Sequence, residues 1–307
     1  MPKITIVGAG NVGAVTAHLL AMKKLGDVVL VDVLEGVAQG KALDIIEAGP
    51  IEGYGVSVIG TGSYEETKGS DIVIVTAAVP RKPGWTRKDF LDNNSKIVRN
   101  VVENIVKYSP GCILIIVSNP LDVMTYLACK TSGFSRERVI GMGCALDSSR
   151  FRHFIAQELH ASNANVDAFV MGAHSDLMVP VVSHAYANGK PLTTLLDPGR
   201  VSTIVEKTRK AGPEIVALLK TGNAHYAPAS AIAELVDAIL SDSKKIIPCS
   251  VYVKGEYGTN GLCIGVPVHI GKKGAEAVVE TTLTNEERNA FEKGVQETKE
   301  MIKLLEQ

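Results

Sequence analysis

The sequence predicts a doubly wound α/β unit built on a parallel sheet, followed by an α+β unit, and three observations predict it. First, short apolar runs alternate with helix-length stretches through the first half: Ile4 to Val7, Val28 to Val31, Val56 to Ile59, Ile72 to Val75 and Ile113 to Val117. Runs apolar at nearly every position fit strands covered by helices on both faces. Second, Gly8-Ala9-Gly10-Asn11-Val12-Gly13 joins the first run to a helix from Val15 to Met22, as in a Rossmann unit. Third, the alternation stops after about Gly141. The division predicted is residues 1–141 for a dinucleotide-binding unit and 142–307 for an α+β unit.

In the second unit a helix is expected from about Ser148 to Leu159, then strands Val166 to Met171 and Met178 to Ser183, with a turn signal at Asn188-Gly189. Helices follow at about Ser202 to Lys210, Pro213 to Leu219 and Pro228 to Leu240, with a break before Pro213. Ile247 to Val253 and Leu262 to His269 read as strands. Thr284-Asn285-Glu286-Glu287 forms a capping box that opens a long amphipathic helix, whose charges read as a solvated face.

Composition narrows the function classes. The 307 residues can bury a large core, and the net charge of −1 with scattered lysine and arginine offers no basic stripe for nucleic acid or anionic lipid. The five cysteines, Cys112, Cys129, Cys144, Cys249 and Cys263, form no CxxC pair and no zinc spacing, so they read as buried reduced thiols and no metal is expected. A strand begins at Lys3, which leaves no space for a secretory leader, and no apolar run reaches the roughly 18 residues of a membrane span. A cytoplasmic enzyme for small molecules is the expectation, with neither a nucleic acid nor a membrane partner.

In the glycine run Gly8 permits a tight turn, Gly10 lets backbone approach a pyrophosphate and Gly13 allows close packing of the helix, while Ala9, Asn11 and Val12 complete the phosphate-facing loop. Asp32 ends the second strand, at the spacing where an acid accepts hydrogen bonds from a ribose diol. It would repel a 2′-phosphate, and no arginine follows it directly, so NAD is preferred to NADP. Asp32 also has a duller reading, as a cap of a helix or turn.

Four further segments carry polar residues that a dinucleotide unit alone does not explain. They are Val79-Pro80-Arg81-Lys82-Pro83-Gly84-Trp85-Thr86-Arg87, Ser118-Asn119-Pro120, Leu146-Asp147-Ser148-Ser149-Arg150 and Gly172-Ala173-His174-Ser175-Asp176. The first reads as a Pro/Gly-punctuated loop whose two arginines could grip two carboxylates. Each residue alone has a structural reading: His174 as a core histidine, Asp147 and Arg150 as an i,i+3 ion pair, Arg87 as a solvated charge, Asn119 as a turn residue.

Taken in this order after the glycine run, and through to Gly265-Val266-Pro267-Val268, these segments resemble the lactate and malate dehydrogenase family over essentially the whole chain. Oxidation of a 2-hydroxy acid removes a hydroxyl proton as hydride leaves the same carbon for the nicotinamide, so a base near neutral pKa is needed. His174 suits, with Asp147 orienting the ring and stabilising its protonated form. The resemblance implies that Arg150 grips the substrate's C1 carboxylate, that Arg87 polarises the carbonyl, and that Asn119 hydrogen-bonds the reacting oxygen. It also implies that Asn94, Val117 and Ser118 lie at the cofactor. Arg81 stands where lactate-type members commonly carry glutamine. A second arginine there would pair with the distal carboxylate of oxaloacetate and be left unpaired against the methyl group of pyruvate. Malate and oxaloacetate in the tricarboxylic acid cycle are therefore the implied substrates, and a homodimer or homotetramer the implied assembly, with helices near residues 36–48 and 148–159 available for contact.

The sequence departs from the family in Ala173 and Ser175, where glycines often flank the histidine, and in Trp85, where methionine is common. The loop before Arg87 is expected to close over the substrate, with Trp85 as a lid side chain. Three alternatives stay open: lactate or another 2-hydroxy acid as substrate, an NAD-dependent glycoside hydrolase, and a noncatalytic NAD-binding protein.

Overall fold

A computed structural model describes residues 1–80 and 84–307. The first unit runs β1 (Lys3–Val7), α1 (Asn11–Met22), β2 (Asp27–Val31), α2 (Glu35–Glu52), β3 (Val58–Thr61), β4 (Ile72–Val75), α3 (Arg87–Tyr108), β5 (Ile113–Ile116), α4 (Leu121–Ser132) and β6 (Val139–Gly141). The run that forms β6 is too short to stand out in the sequence. All neighbouring pairs are parallel, in the order β3-β2-β1-β4-β5-β6. The strand order reverses between β1 and β4, which opens a crevice at the carboxyl ends of these strands. The continuous apolar runs are explained by burial: every residue of β4 and β5 is buried.

The second unit begins with α5 (Gly143–Leu159), which starts a turn and a half before the expected Ser148. The two strands expected between residues 166 and 183 are instead short pieces, β7 (Val166–Asp167), β8 (Val170–Met171) and β9 (Val179–Pro180). Pro180 has no N–H to extend a ladder, and a 3₁₀ turn at Val182–His184 follows it. Next come β10 (Tyr186–Ala187) and β11 (Lys190–Pro191), a hairpin turned by Asn188 and Gly189, both at positive φ as a tight two-residue turn requires.

α6 (Leu192–Leu195) precedes α7 (Pro198–Leu219), a single helix that runs through Pro213, where two helices were expected. A proline removes only one hydrogen bond of the ladder, and α7 is held by packing along α5. The chain ends with α8 (Tyr226–Leu240), β12 (Lys245–Lys254), β13 (Asn260–Gly271), β14 (Gly274–Val278) and α9 (Asn285–Leu305). The capping box that opens α9 is present: Thr284 Oγ1 accepts from the Glu287 N–H at 3.2 Å, and Glu287 accepts from the Thr284 N–H at 3.0 Å.

The sheet does not stop at the end of the first unit. β12 pairs antiparallel with β6 through Ser250 and Gly141, and β13 and β14 follow, giving nine strands among the described residues. One apolar core therefore joins Ile115 and Ile140 to Val251 and Ile264, while a second, built on Phe151, Val170, Leu192 and Ile204, lies under α5 and α7. Among the described residues no helix is long and apolar enough to cross a membrane.

The turn between β1 and α1 is set by two glycines. Gly8 has φ 110°, and a Cβ there would lie 2.7 Å from Thr76 Oγ1; a Cβ on Gly13 would collide with the carbonyl oxygen of Gly8. At Gly10 the same Cβ would meet no atom of the described residues within 4 Å. Gly13→Ala should therefore push α1 off the turn and lower stability by about 1–3 kcal/mol. Gly10→Ala should change it by less than about 1 kcal/mol. Thermal melts of the two variants check this, and equal melting temperatures would contradict it.

Candidate active site

The crevice at the carboxyl ends of β1, β2, β4 and β5 is built by three tied loops. After β1, the glycine turn is held by Thr76 Oγ1, which donates to the Gly8 carbonyl at 2.9 Å. Asp32, at the end of β2, accepts from the Ala9 N–H at 2.7 Å through one oxygen and from the Leu34 N–H at 2.9 Å through the other. It thus caps a turn and braces the glycine loop at once, and each oxygen keeps a lone pair for a further donor. Lys41 donates to the Ala9 carbonyl in the same corner. No side chain caps the N-terminus of α1, and the space beside Gly10 is open, so its first amides face a place where an anion fits. Asn11 and Val12 form the first turn of that helix. The cradle thus offers open space and helix-end amides beside Gly10 and free acceptor lone pairs on Asp32.

The loops after β4 and β5 are joined by side chains. Asn94 of α3 is fully buried; its Oδ1 accepts from the Val79 N–H at 2.8 Å and its amide donates to the Asn119 carbonyl at 2.9 Å. Its amide is therefore spent on backbone, and Asn94 braces the two loops. Ser118 Oγ donates to the Ala77 carbonyl at 2.7 Å, and the Val117 N–H donates to Val75. Asn119 itself is exposed, ahead of a cis peptide to Pro120.

The titratable centre lies where α5 meets the loop after β8. His174 Nδ1 and Asp147 Oδ2 are 2.6 Å apart, and Asp147 Oδ1 accepts from Arg150 Nη1 at 3.1 Å. Asp147 has no solvent exposure; His174 is 17% and Arg150 13% exposed. The i,i+3 pair expected from spacing is thus present, and it also carries the histidine. The ring packs so closely on the start of α5 that a Cβ on Gly143 would lie 2.9 Å from His174 Cγ. Burial pulls the His174 pKa down, but the charge and hydrogen bond of Asp147, with the charge of Asp122, outweigh that and the opposing Arg150, so the net shift is upward. The Arg150 guanidinium also lies close to Gly212 of α7, where a Cβ would come within 3.6 Å of Nη2.

Arg87 was expected on a loop, but it is the first residue of α3, whose N-terminus is closed by a capping box of Thr86 and Asp89. Its side chain is 71% exposed and makes a 3.1 Å ion pair with Glu297 of α9. Glu297 also accepts from Ser175 Oγ at 2.9 Å, so the departure at Ser175 places a hydroxyl between the histidine loop and the tail helix. Ala173 is buried against Gly294. A cavity of about 230 Å³ connects Arg87, Phe90, Pro120, His174, Ser175 and Glu297. α9 therefore does more than present a solvated face. Arg81, with Lys82 and Pro83, lies outside the described residues.

Two participants escaped the sequence reading. Asp122, in the first turn of α4, accepts from the backbone N–H of His174 at 2.8 Å and from Ser250 Oγ at 2.6 Å. Glu297 is the other. Their partners are 52 and more residues away in the chain, so the only local signal for Asp122 was an acid just after Ser118-Asn119-Pro120, where it reads as an ordinary helix-start charge. A larger cavity, of about 1370 Å³, opens at the amino ends of the strands between Asp71, Ser109, Arg138 and Lys272, and among the described residues none of the predicted site residues lines it. Among the described residues no group of three or more His, Cys, Asp or Glu is placed to hold a metal ion.

Residues 2–141 match the family model for the lactate/malate dehydrogenase NAD binding domain, and residues 144–307 that for the lactate/malate dehydrogenase alpha/beta C-terminal domain. The chain is 50% identical to the malate dehydrogenase of Bacillus licheniformis, over 99% of this chain and 98% of that protein. It is 52% identical to that of Chloroherpeton thalassium, over 97% and 96%. Among solved structures it superposes on the malate dehydrogenase of Salinibacter ruber with a TM-score of 0.95 at 44% identity, covering 99% of this chain and 97% of that one. A lactate dehydrogenase from Cryptosporidium parvum, in complex with lactic acid and nicotinamide adenine dinucleotide, gives a TM-score of 0.96 at 40% identity, covering 99% and 98%. Two domain matches that together span nearly the whole chain, around a histidine, aspartate and arginine gathered beside a dinucleotide cradle, show that this chain belongs to the lactate/malate dehydrogenase family.

Proposed function

We propose that this chain is an oxidoreductase that catalyses the reversible oxidation of (S)-malate to oxaloacetate with NAD, residues 1–141 holding the cofactor and residues 142–307 the substrate. The observation that carries the reading is the buried chain of contacts Arg150, Asp147, His174. The malate dehydrogenase activity named for relatives at about half identity supports the choice of acid.

When bound, NAD supplies the acceptor for the hydride that leaves C2 of the substrate. His174, with Nδ1–H donated to Asp147, presents Nε2 as the base that takes the hydroxyl proton. Asp147 holds the ring in that tautomer and stabilises the imidazolium that forms. Arg150 keeps one face on Asp147 and offers its remaining donors to the C1 carboxylate. Arg87 exchanges Glu297 for the substrate oxygen and stabilises charge there in the reduction direction. Asn119 donates to the same oxygen, and Arg81 pairs with the distal carboxylate. Asn94, Val117 and Ser118 hold the loops that face the nicotinamide end of the cofactor. A homodimer or homotetramer in the cytoplasm is part of the reading: α2 exposes Val37, Leu43, Ile46 and Ile51, apolar side chains that a second copy would cover.

Three measurements test these assignments. His174→Asn should lower kcat by about 10²–10⁴-fold with NADH binding retained, and full turnover would remove His174 as the base. With NADH, the wild-type protein should prefer oxaloacetate to pyruvate, and Arg81→Gln should reduce kcat/KM for oxaloacetate by about 10²-fold or more while narrowing that preference. Higher wild-type efficiency on pyruvate would instead make this a lactate-type enzyme. The pH dependence has a fixed sign. Malate oxidation needs neutral His174 and should rise with pH through its pKa, whereas oxaloacetate reduction needs the imidazolium and should fall. Because Asp147 and Asp122 outweigh burial, both midpoints should lie above the roughly 6.5 of free histidine. A kcat/KM profile with its midpoint below that value would contradict the arrangement.

A further inference from the structure

We propose that Asp122 is a positioning residue for His174: it fixes the backbone of the base and supplies a second buried negative charge to its ring. The inference rests on the reading of His174 as the general base. Asp122 is only 6% exposed, although an acid in the first turn of a helix ordinarily faces water. It is turned inward and ties three segments together: α4, which follows Asn119 and Pro120; β12 through Ser250; and the loop after β8 through the His174 N–H.

Among the described residues both donors to Asp122 are neutral, a backbone amide and a hydroxyl. Hydrogen bonding alone therefore does not call for an acid. Asparagine could accept from the His174 N–H through its oxygen and donate to Ser250 Oγ through its nitrogen, keeping both contacts. The one property aspartate adds is charge, and that charge sits 2.8 Å from the backbone nitrogen of a residue whose ring becomes cationic in the proposed reaction. Among the described residues, the charged groups that face His174 are Asp147 and Arg150 on α5, Asp122 on α4, Arg87 on α3 across the cavity and Glu297 on α9 through Ser175. Among them Asp122 and Asp147 favour the imidazolium and Arg150 opposes it. Burial pushes the Asp122 carboxyl above the usual range, and the Ser250 and His174 donors pull it back, so the loss of one donor would favour its neutral form.

The test uses the full chain with Asp122→Asn and Ser250→Ala, measuring kcat/KM for malate oxidation against pH, melting temperature and NADH affinity. Asp122→Asn should keep its NADH affinity and move the midpoint to lower pH by about half to one unit. It should therefore retain a larger share of its plateau rate on the acid side, a gain that a merely structural role would not produce. Ser250→Ala should move the midpoint the same way by less, and it decides the matter if Asp122→Asn fails to fold. Wild-type midpoints in the folded variants would overturn the proposal. His174→Asn serves as the separate control: if it stays active, the base assignment has failed, whereas an inactive His174→Asn with unshifted Asp122 and Ser250 variants refutes the Asp122 proposal alone.

Discussion

Asp147 has no contact with solvent, and a carboxylate taken out of water costs several kcal/mol unless donors replace its hydration. Its replacements are Arg150 at 3.1 Å and His174 at 2.6 Å, and much of the second unit is arranged to deliver them. α5 begins at Gly143, so Asp147 and Arg150 lie three residues apart within regular helix and project from one face. The loop carrying His174 is brought back onto that helix by antiparallel bonding of Gly172 to Gly265 in β13, and the ring then lies against Gly143. A histidine hydrogen-bonded to a buried carboxylate gains a reason to be protonated that it would lack in water, which is what the chemistry of a proton acceptor near neutral pH asks for.

The continuity of the sheet gives this arrangement its place. Because β12 bonds to β6, the segment that follows β6 leaves directly into α5, at the same edge of the sheet where the loops after β1, β4 and β5 gather. Those loops are not independent. Asn94 joins the chain at Val79 to Asn119, Ser118 reaches Ala77, and Asp32 reaches Ala9. A cofactor cradle and an acid–base centre formed on separate cores would need a rigid interface to keep their distance. Here one apolar core spans both, so the spacing between them is a property of the sheet.

What was legible in the sequence follows the range of the interactions concerned. The glycine turn, the buried parallel strands and the Thr284 capping box depend on near neighbours, and each leaves a local pattern: φ at Gly8, unbroken apolar runs, Thr and Glu three apart. Asp147, Arg150 and His174 could be named through a family resemblance, but spacing alone would have stopped at a surface ion pair. The miss at Asp122 has the same cause in reverse, since its acceptor role is fulfilled by residues 52 and 128 positions away. Pro213 suggested a helix break because the local cost of a proline was visible and the packing of α7 on α5 was not. The strands expected between residues 166 and 183 were shortened by Pro180 and a 3₁₀ turn, features whose effect depends on which neighbour each short piece finds.

The site divides into halves of different stiffness, and exposure decides which is which. His174, Asp147, Arg150 and Asp122 are buried or nearly so, and their hydrogen bonds cannot be exchanged for water without leaving a charge unsatisfied. Arg87 is mostly exposed, and its 3.1 Å bond to Glu297 belongs to a class of ion pairs worth about 0–1 kcal/mol. In the proposed reaction such a partner orients the guanidinium toward the cavity and is weak enough to be displaced by a substrate oxygen at little cost. Division of this kind suits the proposed reaction, in which the proton acceptor is held by buried contacts while the exposed charge of Arg87 exchanges partners across the cavity it shares with His174.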